Sequence, residues 1–437
     1  MADRIPVGET GQSYQGQILG TDENGYVRKI RADIDGDLMV ELGESSVSYA
    51  DKDGRENFNG IFGEKYVSLR KPKFSFNFNY PADTRKVIVT QINGGTSTYV
   101  NSLLTEQTGT NIAGKAVWQT KSSLRYSAGR DAEIMFTALF TAGVANSSQR
   151  IGLFDDLDGL WVGFNGVDFG VSVRRDSVDG FVAQSNFSED KLNGTGASGF
   201  TLDKTKLNIY RIVYGYLGVA PVYYSIFGGE EHGWVTFHIH NVANKVVSTY
   251  IKKPYLPIRS EVINSGNNTN LKMQHGSFYA GVIDGINSPD KSSRQFSAQV
   301  TKAIPISTNA VIGIFHNKPI FQTVVNNIEA KLLKIGIGVD GTKTSTISLY
   351  KLSAIPTGTT FVDVDTTNST MELSSVGTIS LVGAMLLDSW ALGKTDSVNT
   401  LVFEVDYTLL PDEYAVFTFT STGASDVSFI NRWSELF

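Results

Sequence analysis

Hydrophobic and polar positions alternate most regularly between residues 133 and 175, and this stretch guides the interpretation of the whole chain. Two apolar-rich runs, Leu160–Phe164 and Val167–Val173, are separated only by Asn165-Gly166, a pair that favours a two-residue type I′ hairpin turn. A period of two then places the apolar side chains on one face of the hairpin. The other face carries glycines and small polar residues around a single tryptophan, Trp161.

The segments upstream of this hairpin repeat the same period. Ile134, Phe136, Ala138 and Phe140 fall on one face of a predicted strand, and Gln149–Phe154 has the length of another. Three to four sequential antiparallel strands form a meander, and a second sheet must cover its apolar face. The pattern therefore predicts a β-sandwich.

Alternation with the same period resumes near the C-terminus, for example in Leu333–Val339 and Leu401–Tyr407. The polar segment Ser288–Arg294 between the two alternating regions reads as a linker. Thr323–Lys334 is the best helical candidate, although its alternation also fits a strand. We predict an all-β chain with two antiparallel β-sandwich domains of jelly-roll or lectin-like type, a central one over 63–290 and a C-terminal one over 291–437.

The first 62 residues have a different pattern. Asp22–Val27 and Asp33–Leu38 repeat the order Asp-x-Asn/Asp-Gly-x-apolar, and each Asn-Gly or Asp-Gly is a turn candidate between short strands. Such small hairpins bury too little area to be stable alone. We predict an attachment arm over 1–62 that folds against a partner, with packing on the main domain as the alternative. A calcium loop at Asp33–Gly36 is less favoured because it has too few ligands.

Three sequence segments resemble a module found in structural proteins of tailed bacteriophages and of some large DNA viruses. They read FTALFTAGVANSSQRIGLFDDLDGLWVGFNGVDFGV, LNIYRIVYGYLGVAPVYYSIF and NSGNNTNLKM, and the resemblance covers roughly residues 50–286. The closing FINRWSELF is similar to the end of proteins in that group. By its residues, the tail Phe429–Phe437, with Trp433 and Phe437 expected to be exposed, is a segment that could dock on a neighbour. The resemblance implies a virion protein of head-fibre or tail-appendage type with a lectin-like sandwich, and it brings no enzyme motif.

Composition and charge narrow the possible functions. The 437 residues suffice for two or three domains with their own cores. A formal net charge of −6 gives no electrostatic reason to bind nucleic acid or an anionic membrane. The absence of cysteine excludes disulfides, cysteine-ligated zinc and thiol catalysis. No secretory signal is recognisable, and the most apolar run, Ile379–Leu387, is too short to span a bilayer.

Two clusters could bind a metal. Asp155, Asp156 and Asp158 lie in a predicted turn between strands, but a calcium site needs six to eight oxygen ligands and turn chemistry alone explains the Asp-Gly pair. His238 and His240 share one face of a predicted strand, yet no further ligand is placed by sequence. Alternation makes them the polar face of that strand, in contact with solvent or another subunit. We therefore predict no metal and no cofactor.

Trp161 is the best candidate for glycan binding. Beside glycines it could form a flat platform for a sugar ring, with the turn of Asp155, Asp156 and Asp158 nearby. The alternative, which we favour, is that Trp161 covers the strand glycines inside an inter-sheet or inter-subunit core. Glycan hydrolysis would need two carboxylates across a groove, and nothing selects a pair among the candidates Asp156, Asp158, Asp168, Glu230 and Glu231.

The sequence thus predicts a non-enzymatic structural component of a tailed-phage virion, with no catalytic residues. It would be a head fibre, a capsid-decorating protein or a tail appendage, assembled in the host cytoplasm. The expected partners are other virion proteins and further copies of the chain, in a homo-oligomer such as a trimer, with neither nucleic acid nor membrane. The alternative is a receptor- or glycan-binding module of the virion that contacts host surface glycan, and a glycan depolymerase is the third possibility.

Overall fold

The computed structural model describes residues 18–21, 27–32, 38–39, 69–284, 293–341, 343–352, 354–393 and 395–436. It confirms an all-β chain with two antiparallel sandwiches preceded by a small hairpin sheet. In that first sheet three short strands pair antiparallel in the order β1-β2-β3: β1 (Ile18–Thr21), β2 (Val27–Ala32) and β3 (Leu38–Met39). The predicted turns between them, and the possible calcium loop at 33–36, lie outside the described residues.

Among the described residues, the central sandwich contains sixteen strands and two short helical turns. They are β4 (Leu69–Asn77), β5 (Val87–Ile92), β6 (Thr96–Val100), β7 (Leu103–Gln107), β8 (Lys115–Thr120), β9 (Ala132–Phe140), β10 (Ser147–Phe154), β11 (Gly159–Asn165), β12 (Asp168–Arg175), β13 (Val178–Ala183), a 3-10 turn (Gln184–Asn186), β14 (Asn208–Tyr214), β15 (Val222–Phe227), α1 (Gly229–His232), β16 (Trp234–His240), β17 (Ile258–Asn264), β18 (Lys272–His275) and β19 (Ser277–Asp284).

Two sheets form this sandwich. The seven-stranded sheet has the order β13-β12-β11-β10-β17-β8-β5, and the nine-stranded sheet has the order β16-β15-β14-β9-β18-β7-β6 with β19 pairing β9 and β4. Their facing sides bury one apolar core, because each strand directs alternate side chains inward. The structure contains an antiparallel meander as predicted, and its strands are β10 to β13. The upstream strand β9, which the sequence suggested as its first member, pairs in the opposite sheet.

The hairpin of β11 and β12 forms with a different turn from the predicted one. Asn165 pairs with Asp168, so the two loop residues are Gly166 and Val167. Gly166 has φ +64°, and neither Asn165 nor Val167 has a positive φ. This fits a type II′ turn with glycine first and excludes type I′, which needs positive φ at both loop positions. The pairing moves by an even number of residues, so the predicted core face is kept, although Val167 itself is exposed.

The part of the C-terminal sandwich that the structure describes contains twelve strands. They are β20 (Ser293–Ile304), β21 (Ser307–Asn317), β22 (Ile320–Phe321), β23 (Val324–Val325), β24 (Glu329–Gly341), β25 (Ser345–Leu352), β26 (Val362–Asp363), β27 (Met371–Ser374), β28 (Met385–Leu392), β29 (Thr395–Leu409), β30 (Glu413–Ser421) and β31 (Ser425–Leu436). Its two main sheets have the orders β20-β31-β24-β29 and β26-β27-β21-β30-β25-β28. The helical candidate Thr323–Lys334 is wrong, because this segment contributes to strands β23 and β24.

The tail of the chain is part of this second core. β31 lies between β20 and β24, and Trp433 is fully buried and stacks on Phe296. Trp433 is therefore not a free docking side chain, because its alternate position on a central strand points it inward. Of the predicted linker, residues 288–292 lie outside the described residues, and Ser293 begins β20.

The described residues include no helix long and apolar enough to cross a membrane. Polar contacts connect the two sandwiches. One of them is the ion pair between Lys73 of β4 and Glu329 of β24, in which Nζ and Oε2 are 2.8 Å apart.

Candidate functional site

Trp161 lies on the outer face of the seven-stranded sheet, the side opposite the apolar core. The side chains around it form a network of alternating charges, which we call the outer-face network. Its members are Arg150 of β10, Trp161 of β11, Arg174 of β12, Asp179 of β13, and Arg259 and Glu261 of β17. These strands bring the six residues together because each contributes positions of the same parity, two residues apart or directly opposite.

Asp179 is the centre of one half of the network. Its carboxylate accepts hydrogen bonds from Nε and Nη2 of Arg174, both at 2.9 Å, and from Nε1 of Trp161 at 2.9 Å. Burial opposes ionisation, but the bonds from Arg174 and Trp161 and the charge of Arg150 outweigh it, so the pKa of Asp179 lies below its ordinary value. The two-pronged pairing fixes the guanidinium in one orientation.

Glu261 is the centre of the other half. Arg259 lies within 2.7 Å and Arg150 within 3.3 Å of its carboxylate. Arg150 also approaches Asp179 at 3.5 Å and so connects the two halves. Arg259 and Glu261 are almost entirely removed from solvent, and the side chain of Arg150 is 16% exposed. The charges of Arg259 and Glu261 therefore depend on their partners rather than on water.

The ring of Trp161 is not available as a sugar platform in this structure. It is fully buried, stacks on Phe181 with ring centroids 5.5 Å apart, and lies under the guanidinium of Arg150 at 5.0 Å. The ring of Phe181 in turn covers Gly170, where an added Cβ would meet it at 2.7 Å. We expected Trp161 to cover the strand glycines. An aromatic residue does cover Gly170, but it is Phe181. A sugar could stack on Trp161 only after Phe181 had moved.

The three aspartates of the predicted turn point to three different partners. Asp155 accepts the backbone N–H groups of Leu157 and Asp158 and pairs with Lys253. Asp156 has an 82% exposed side chain and pairs with Arg259 at 2.8 Å. Asp158 is buried and accepts the N–H of Lys252. Turn chemistry and ion pairing thus account for all three carboxylates, and they do not converge on one point.

The sequence suggested that His238 and His240 form the polar face of β16. The structure shows that they do not. A bulge in the pairing of β15 with β16 leaves Phe237 without a partner, so that His238 lies opposite the buried Tyr224. Because directly opposite residues share a face, the bulge turns His238 to the interior side. It is buried against Phe187, and its Nδ1 accepts the N–H of Ser188 at 3.2 Å.

The surroundings keep His238 neutral. Burial, followed by the neighbouring His240, lowers the pKa of His238 to about 4. Burial also lowers the pKa of His240, which packs against Tyr250. Within the part of the chain that the structure describes, no group of three or more histidine, aspartate or glutamate side chains is placed to hold a metal ion.

Two carboxylates of this region, those of Asp156 and Asp179, are paired with arginines. A glycoside hydrolase needs one carboxyl group that stays protonated, with a raised pKa, opposite a second carboxylate. Here the pKa of Asp179 and that of Asp156 are both lowered by arginines. Glu230 and Glu231, two further candidates, lie on α1 beside the nine-stranded sheet.

The sequence interpretation missed the arginines. Arg259 and Glu261 alternate with the apolar or small residues of β17, and this alternation was available as a signal for a charged strand face. It could not show that Arg150 lies opposite Glu261, because the two strands are 111 residues apart. The segment 176–199 is polar in sequence, yet it contains β13 and the buried Phe187.

Neither a family model nor a curated protein sequence matches this chain. Among solved structures, the chain is similar to the cellulose-induced protein Cip1, with 16% identity, a TM-score of 0.31, and coverage of 50% of this chain and 100% of that one. It is also similar to the carbohydrate recognition domain of Emp47p (10% identity, TM-score 0.31, coverage 51% and 100%). A third similar structure is a glycoside hydrolase family protein from Mycobacterium thermorestibile (11% identity, TM-score 0.34, coverage 47% and 99%). At these values the similarities assign no function.

Proposed function

We propose that this chain is a non-enzymatic structural component of a tailed-phage virion that acts through protein–protein contacts. The sandwiches would pack or be displayed as a head fibre, a capsid-decorating protein or a tail appendage, and the N-terminal arm would attach them. The resemblance of residues 50–286 to virion proteins motivates the proposal. The observation that carries it is the exposed apolar edge of the seven-stranded sheet.

That edge is strand β5. Ile88, Val89 and Ile92 are 46%, 37% and 43% exposed, and one side of the strand pairs with β8 while no described strand pairs with the other. Branched apolar residues on an open edge strand promote pairing with another chain, and monomeric proteins usually protect such edges with charge, proline or a covering segment. Strand β5 itself contains no charged residue and no proline. It therefore suits contact with a second copy of the chain in a homo-oligomer.

The outer-face network supports the non-enzymatic part of the proposal. Its arginines and carboxylates satisfy one another, and a hydrolase would need a protonated acid that this pairing disfavours. A glycan depolymerase is accordingly the third candidate, and it predicts turnover of host surface polysaccharide by the purified chain.

The test of the structural role is antibody labelling of purified particles from a culture that produces the chain. Label on the head or neck supports a head fibre or decorating protein, and label along the tail supports an appendage. Absence of label from every particle would overturn the proposal. Label confined to distal fibre tips would favour the receptor-binding alternative.

A second experiment tests the edge strand. Ile88→Lys/Ile92→Lys places charges on β5 and should convert an oligomer into monomers in analytical ultracentrifugation, because like charges oppose edge pairing. Val178→Lys, on the opposite edge strand β13, is the matched control for an exposed apolar residue. An oligomeric state that neither variant alters would remove β5 from the interface.

A further inference from the structure

A cleft of about 570 Å³ lies between the two sandwiches. We call it the inter-sandwich cleft. The first sandwich contributes residues of β4 and of the segments beside β5 and β8, and the second contributes residues of β25, β28 and β29. Asp83 is the one acid among the described lining residues. Five lining residues are cations: Lys73, Arg85, Lys86, Lys121 and Lys351. This concentration of positive charge contrasts with the net charge of −6 for the whole chain.

Three of the five cations already have partners. Lys73 pairs with Glu329 at 2.8 Å, Lys351 pairs with Glu413 at 2.6 Å, and Arg85 holds Asp83 with two-pronged geometry. The hydrogen bonds and charge of Arg85 lower the pKa of Asp83 to about 2, so this acid stays ionised and neutralises Arg85. The pairs leave two lysines to define the net charge of the cleft.

Lys86 and Lys121 are these two lysines. Both are exposed. Neither lies within ion-pair distance of an acid among the residues that the structure describes, although the charge of Lys86 also helps to lower the pKa of Asp83. Val87 pairs with Thr120; Lys86 directly precedes Val87 and Lys121 directly follows Thr120, and the N–H of Lys121 donates to the carbonyl of Lys86 at 2.9 Å. The chain thus holds two like charges opposite each other on adjacent strand ends, an arrangement that costs stability unless an anion lies near both.

The cleft also has an apolar wall. Phe76 on one side and Met385, Leu387 and Tyr407 on the other are half-buried and line it. Ligand sites of this size combine such a wall with a few convergent polar groups. A ring with an apolar face and an anionic substituent matches both parts, since the face can lie on the wall while the anion meets the lysines.

We propose that the inter-sandwich cleft binds a carboxylate-bearing sugar of an acidic polysaccharide. The proposal goes beyond the structural role, and it gives the recognition alternative a site other than Trp161. The carboxylate lies between Lys86 and Lys121, and the C–H face of the sugar ring packs on the apolar wall. Nucleic acid fits less well, because it requires a basic track along its backbone, whereas these cations are confined to one cleft of an acidic protein.

The experiment titrates the full chain with a trisaccharide of galacturonic acid in a calorimeter, and with galactotriose as its neutral counterpart. We expect the acidic trisaccharide to bind and the neutral one not to bind. Binding should weaken at high salt, because salt screens the attraction between the carboxylate and the two exposed lysines. Lys86→Gln/Lys121→Gln should weaken binding by about tenfold or more. Lys206→Gln/Lys343→Gln removes two exposed lysines outside the cleft and should bind as the unmodified chain does.

The contrary outcomes are distinct. Equal affinities for the two double variants, equal binding of the acidic and neutral trisaccharides, or no heat of binding would each overturn the proposal. Tighter binding of a single-stranded oligonucleotide than of the acidic trisaccharide would overturn it in favour of a nucleic-acid surface. Particle labelling does not depend on this cleft, so failure here leaves the structural role to its own test.

Discussion

The two faces of the seven-stranded sheet are built from the same strands but are buried by different means. The inner face presents Leu160, Val162 and Val171 to an apolar core. The outer face presents Trp161, three arginines and their carboxylates, and most of these side chains are also removed from solvent. Burial of the inner face is favourable by itself, whereas burial of the outer face is tolerated only because every charge is paired. The two faces should therefore respond differently to mutation and pH.

The largest expected effect is on the outer face. Asp179→Ala leaves the buried Arg174 without its two-pronged partner and should lower the free energy of unfolding by about 3–5 kcal/mol, measured by urea denaturation. Lys252→Ala removes the exposed pair with Asp176 and should cost no more than about 1 kcal/mol. Similar losses from the two variants would show that the outer-face network is not a buried ionic system.

The inner face should lose a similar amount for another reason. Leu160→Ala creates a cavity in the apolar core and should cost about 3 kcal/mol. Because no charge is involved, this loss should be the same at neutral and acidic pH, whereas the loss for Asp179→Ala should shrink as the pH falls through the lowered pKa of Asp179. The comparison would be broken if both losses changed equally with pH.

A third test uses His238, a polar group on the interior side that forms no ion pair within the described part of the chain. Its pKa is depressed from 6.5 to about 4, so the unfolded chain binds more protons than the folded chain between these values. Its contribution to stability is therefore complete above pH 6.5 and is lost as the pH falls towards 4, by on the order of 2 kcal/mol. His238→Gln should flatten this part of the stability profile, and an unchanged slope would assign it to other groups.

The smallest expected effect concerns the turn that joins strands β11 and β12 of the hairpin. Gly166→Ala forces a Cβ into φ +64° and should cost about 1 kcal/mol. The exposed Val167→Ser should change stability by less than about 0.5 kcal/mol. A type I′ turn at Asn165-Gly166 predicts instead that Asn165→Ala is as costly as Gly166→Ala, because both positions would need positive φ.

The sequence was sufficient for the inner face and insufficient for the outer one. Alternation predicted which residues of β11 and β12 face the core, and an error of one residue in the turn did not change that face. Alternation cannot tell an exposed polar face from a buried ionic one, so the environments of Trp161 and Arg174 could not be predicted. The bulge that turns His238 inward leaves no local signal in the sequence, because it depends on the pairing with β15.

Strand order in the seven-stranded sheet also has a kinetic consequence. Strands β10 to β13 pair with their sequence neighbours, whereas β17 joins β10 from more than a hundred residues away. Local hairpins close in microseconds, while pairings of high contact order are slow because the chain must first close a long loop. We expect the meander to fold early and to wait, with the edge of β10 unpaired, until residues 258–264 have left the ribosome. Synthesis of the middle of this chain is thus the interval in which edge-to-edge misassembly between nascent copies is most probable.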